Sequence, residues 1–106
     1  MEKQKESIAF EAAPLFSTGT LVLVGSAIGQ ISPEDIESAL ERHKRGDWGL
    51  VDKEEWKENE GALEIEDFLV SLYRSSTGAR FFVVTEPDRI STAVLMPDDY
   101  YKLYDD

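Results

Sequence analysis

The sequence predicts an α+β domain with elements in the order β-α-α-β-β-β, and three observations carry that reading. Two helix-start signatures, at Ser32 and at Asp52, each precede a run with helical spacing. After residue 67 the period changes, and three β-branched or aromatic runs follow, separated by turn residues. Before the first helix lies one aliphatic run, Thr20-Leu21-Val22-Leu23-Val24, bounded by Gly19 and Gly25. The expected architecture is an antiparallel meander with two helices packed on one sheet face and a short C-terminal helix or tail.

Residues 1–14 read as a flexible polar lead-in with one apolar patch, Ile8-Ala9-Phe10, and residues 15–106 as a single domain. The Thr20–Val24 run reads as a buried strand. Ser32 can accept hydrogen bonds from exposed helix amides, Pro33 suits the first helical position, and Glu34 and Asp35 sit at the positive end of the helix dipole. Ile36, Ala39, Leu40 and His43 then share one face, and Gly46 supplies a left-handed stop, which predicts a helix over Pro33 to Arg45. Asp52 with Glu55 forms a capping-box pattern for a second, short helix ending near Asn59 to Gly61, with Trp56 as its main apolar side chain.

Phe68 to Tyr73, Arg80 to Thr85 and Ser91 to Met96 read as strands, joined by turns at Ser75–Gly78 and Glu86–Arg89. The middle one is apolar on both sides, as a sheet centre requires. Pro97-Asp98-Asp99-Tyr100 can open a terminal helix. Two helices leave part of such a sheet uncovered, which would favour a homodimer.

Composition narrows the function classes. The chain has 106 residues, 42% hydrophobic and 31% charged, enough apolar side chain for one modest core. With no cysteine, disulfides, thiolate sites and cysteine nucleophiles are excluded, and a single histidine argues against tetrahedral zinc. The net charge of −11 repels nucleic acid and anionic membranes. The acids are concentrated late: residues 1–53 carry six bases and nine acids, residues 54–106 five and thirteen. From Ala12 to Pro33 there is no charge at all, but Pro14, three glycines and several hydroxyl residues make this a poor membrane span. A cytoplasmic protein without cofactor or metal is the expectation.

Each candidate site residue has a functional and a plain reading. His43, between Arg42 and Lys44, can be a general acid/base beside phosphate-holding cations, or a histidine packed at the edge of an apolar stripe. Arg42, Lys44 and Arg45 can bind a partner's anions or neutralise a helix C-terminus. Trp48 is a candidate partner anchor or a core residue. Arg89 belongs to a polar cluster at the second hairpin turn. Glu54, Glu55, Glu58, Glu60, Glu64, Glu66 and Asp67 can hold a divalent cation in principle, but as a solvated acidic face they need no ligand.

The strings RHKRGDWG (Arg42 to Gly49), EEWKENEGAL (Glu54 to Leu63) and FFVVTEPDRISTAVLMPDDY (Phe81 to Tyr100) resemble a family of small bacterial proteins described as plasmid-related or mobile-element-associated. The resemblance spans about residues 15 to 100 and departs around Glu64 to Phe68, where the family is glycine-rich. It implies a genomic setting and brings no catalytic residues with it. At the level of fold alone, helices followed by a meander are similar to RelE-like toxins and barnase-like nucleases. That analogy would make His43 a base, Arg45 and Arg80 phosphate ligands and Thr92 a positioning hydroxyl.

The leading expectation is a non-enzymatic accessory factor that binds another protein. The alternative is a metal-independent ribonuclease or RNA-binding module built on the Arg42-His43-Lys44-Arg45 patch.

Overall fold

The computed structural model of the chain describes residues 13–104. Its elements are β1 (Thr20–Leu23), a 3-10 turn (Gly25–Ala27), α1 (Pro33–Lys44), α2 (Lys53–Ile65), β2 (Leu69–Arg74), β3 (Arg80–Thr85), β4 (Ser91–Leu95) and α3 (Pro97–Tyr104). The class is α+β, as the sequence predicts. The lead-in expected over residues 1–14, including the Ile8 to Phe10 patch, lies almost wholly outside the described residues.

The local signals form as expected. The Ser32 hydroxyl accepts from the Asp35 amide at 3.1 Å, with Pro33 in the first turn. Arg45 is the C-cap of α1, so the helix closes one residue before the predicted end, and Gly46 follows at φ +81°. At α2 the capping box is complete: Glu55 N–H donates to Asp52 at 2.8 Å, and Asp52 N–H donates to Glu55 at 3.4 Å. Both hairpin turns place a left-handed residue before the second strand, Gly78 at φ +92° and Arg89 at φ +62°.

Three expectations need correction. The sheet is mixed, in the order β1-β4-β3-β2, with β1 parallel to β4 from Thr20↔Ser91 to Leu23↔Val94. β1 is therefore an edge strand, and it is not buried: Leu21, Val22 and Leu23 are 41%, 43% and 37% exposed. An aliphatic β-branched run specifies a strand but not whether that strand has one neighbour or two. Lastly, α2 does not end near Gly61 but runs to Ile65. No basic residue lies in its last turn; Arg89, from the β3–β4 turn, donates to Ala62 O at 2.8 Å and to Asp67 O at 2.6 Å. A cation from a distant turn thus holds a helix end that local sequence would have stopped earlier.

α1 and α2 both contribute to the inner face, α2 at its β2 end through Ala62 against Trp48 and Leu69, while α3 lies on the other face. α1 packs Ile36 and Ala39 against Tyr73, Phe81, Val83 and Val94 on the inner face of the sheet. α3 covers part of the outer face, where the Tyr100 ring stacks on Phe82 at 3.9 Å. α2 runs beside the β2 margin, where Asn59 Nδ2 donates to Val70 O at 2.8 Å and Val70 N–H donates to Asn59 Oδ1 at 3.0 Å. One amide side chain thus imitates a neighbouring strand. No helix among the described residues is long and apolar enough to cross a membrane.

Candidate functional site

His43 reaches the inner face because the helical period puts it one double turn after Ile36. It is fully buried, as are Ser71, Thr85 and Thr92, the hydroxyl residues of that face. Its Nδ1 lies 2.6 Å from Ser71 Oγ and its Nε2 lies 2.9 Å from Thr85 Oγ1. Thr85 Oγ1 is 2.7 Å from Thr92 Oγ1, which donates to Thr18 O at 2.7 Å.

The proton positions follow from the far end, because a carbonyl can only accept. Thr92 gives its one proton to Thr18 O, so Thr85 donates to Thr92. Thr85 then has only a lone pair to offer His43, which fixes the proton on Nε2. Nδ1 is left as the acceptor of the Ser71 proton. The ring is neutral, and Phe16 and Trp48 meet it edge-on at 5.2 and 5.6 Å. Burial, and secondarily the charge of Arg89, pushes its pKa down to about 3.

The residues of the nuclease analogy do not converge. His43 has no solvent-exposed surface, so no substrate can reach it. Thr92 joins it only through Thr85. Arg80 opens β3 while Thr85 closes it, which separates them by roughly 17 Å at the usual strand rise. Arg45 sits at the end of α1, 3.5 Å from Glu41.

The basic patch is paired with acids. Arg42 makes a two-pronged contact with Asp47 at 2.8 and 3.3 Å and lies over the Tyr73 ring at 4.7 Å. It holds the Asp47 carboxyl below its ordinary pKa. Lys44 meets Glu41 at 3.1 Å. The guanidinium of Arg89 is used in closing α2. Trp48, a candidate anchor in the sequence, belongs to the core: it is fully buried among Ala62 and Leu69, and its indole N–H donates to Glu60 at 2.9 Å. A tryptophan in that position cannot touch a partner.

An open site lies elsewhere. Between α2 and α3 the outer face forms a groove of about 580 Å³ with an apolar floor of Ala62, Ile65, Phe68 and Val70. Tyr100 closes one side, and Glu55, Glu58 and Asp67 form an acidic rim. A hollow of about 170 Å³ continues from it past Phe68 and Val70 to Val84 and Tyr104. Ile65 is 73% and Phe68 39% exposed on this floor. Tyr104 donates to Glu86 at 3.3 Å, and burial together with that carboxylate raises its pKa.

The sequence offers these acids as a solvated face or, in principle, a divalent-cation site, and not as the rim of a groove. Ile65 and Phe68, set between Glu64, Glu66 and Asp67, were the available sign that apolar surface lay among them. Among the described residues no group of three His, Asp or Glu side chains is placed to hold a metal ion. Comparison with protein-family models, curated proteins and solved structures found no match to this chain.

Proposed function

We propose that the protein is a non-enzymatic binding module that seats a basic, amphipathic segment of a protein partner in the groove between α2 and α3. The observation that supports this is a groove floor on which Ile65 and Phe68 are exposed, rimmed by Glu55, Glu58 and Asp67. Apolar side chains of the partner would leave water on the floor, while lysine or arginine heads meet the rim and speed encounter. The resemblance to plasmid-related proteins supplies a setting, an accessory factor of a mobile element. Sealed under the sheet, His43 lends nothing to a ribonuclease reading.

The test uses a model helical peptide of leucines and lysines, with a glutamate-for-lysine version as control, titrated into labelled protein. Amide shifts should concentrate at Ala62, Ile65, Phe68 and Val70, weaken with salt, and be absent with the control peptide. The double variant Glu55→Lys, Glu58→Lys should weaken binding by about tenfold or more, since each reversal removes an attraction and adds a repulsion. Shifts scattered over the surface, or affinity indifferent to charge reversal, would remove the proposal.

A further inference from the structure

The β1 margin of the sheet is a second surface, independent of the groove. β1 pairs with β4 on one side and has no strand on the other among the described residues. Thr20 N–H donates to Ile90 O at 2.8 Å and Val24 N–H to Val94 O at 3.0 Å. In a parallel ladder both peptide groups of a residue face the same neighbour, and successive residues alternate. Thr20, Val22 and Val24 therefore face β4. The N–H and C=O groups of Leu21 and Leu23 face outward.

Among the described residues nothing on this margin discourages pairing. Edge strands are commonly protected by lysine, proline, a bulge or a covering element, and β1 carries only threonine, leucine and valine. It also lies inside the uncharged stretch from Ala12 to Pro33, in a chain that is 31% charged. An occupant therefore has to be uncharged and strand-forming. A basic segment of the kind suited to the groove gains nothing here.

We infer that β1 is a self-pairing edge that joins two copies of this chain, antiparallel, into one continuous eight-stranded sheet. The parity is self-complementary. With a twofold axis at Val22, Leu21 of each copy stands opposite Leu23 of the other, and both members of each pair have outward groups. Four backbone hydrogen bonds form, and the four leucine side chains gather on one face. Charge also selects this patch, because two chains of net −11 can approach closely only where both are neutral. A four-residue strand gives less than the roughly 800 Å² per partner of a stable interface, so the dimer is weak and exchanges with monomer. Salt should strengthen it by screening the repulsion between copies, opposite to its effect on the groove.

The experiment is sedimentation of the full chain over a range of concentrations and salt, alongside amide exchange at Leu21 and Leu23. Expected are a concentration-dependent dimer, several-fold tighter at 0.5 M than at 0.05 M salt, and protection of both amides that rises with protein concentration. Leu21→Lys, checked for fold by circular dichroism, should raise the dissociation constant at least tenfold. Thr18→Lys, outside the strand, should leave it unchanged. A monomer at every concentration overturns the inference; if its Leu21 and Leu23 amides are protected all the same, the occupant is a segment of the same chain. A dimer that leaves both amides unprotected, or survives Leu21→Lys, overturns it as well.

Discussion

The two margins of the sheet are treated in opposite ways. At β2, Trp48 O accepts from Leu72 N–H at 3.1 Å and Leu72 O accepts from Leu50 N–H at 2.7 Å, while Asn59 satisfies both groups of Val70. Gly49 is required there, at φ +78°, because a Cβ would lie 2.2 Å from Leu72 O. At β1 the outward groups of Leu21 and Leu23 meet no such device among the described residues. Among the described residues the chemistry for closing an edge is therefore used at β2 and not at β1. A margin left open beside one closed by Trp48, Leu50 and Asn59 is the contrast from which the self-pairing proposal starts.

The largest way to break the contrast is Trp48→Ala. It removes a fully buried indole that anchors the β2 guard and supports the His43 ring, and it leaves Glu60 without its donor. Denaturant unfolding should report a loss of about 5 kcal/mol, the upper end for an aromatic truncation.

Acid should act on the same side. The folded pKa of His43 lies near 3, against an ordinary value of 6.5. Above 6.5 both folded and unfolded states are neutral there, and the group contributes no pH dependence. As pH falls from 6.5 toward 3 the unfolded chain takes up a proton that the native one refuses, so stability falls with pH. The total is roughly 5 kcal/mol, complete once pH is below the folded value. His43→Gln keeps a donor for Thr85 and an acceptor for Ser71 but cannot titrate. Unfolding measured between pH 7 and 3.5 should show the slope in the parent and a shallower one in this variant; equal slopes would contradict the buried neutral ring.

The smallest effect sharpens the comparison. Asn59→Ala should cost about 2 kcal/mol, because it strands the N–H and C=O of Val70. It should also make the β2 margin adhesive, so light scattering should rise with concentration. If it does not, a bare edge in this fold is not enough to drive association.

The sequence announces what depends on neighbours a few residues away. The Ser32 cap, the Asp52–Glu55 box and both turns are local, and each formed where the pattern placed it. Helical spacing also put His43 on the apolar face. What stayed hidden depends on distant partners. Arg89 extends α2 across 27 residues to Ala62, and the parallel pairing of β1 with β4 joins opposite ends of the chain. The companions of His43 left only a faint trace: Ser71, Thr85 and Thr92 are hydroxyl residues at inward positions of otherwise apolar strands, visible once the period of two is aligned with the sheet.

That row of hydroxyls bears on how the sequence can change over generations. Its protons all run in one direction, from Ser71 through His43, Thr85 and Thr92 to the carbonyl of Thr18. Losing one member leaves a buried donor or acceptor with nothing opposite it, whereas losing both partners of a bond together is far less costly. Substitutions at these positions should therefore be inherited in pairs or larger blocks. In any lineage descended from this chain, positions 43, 71, 85 and 92 should behave as a single hereditary unit.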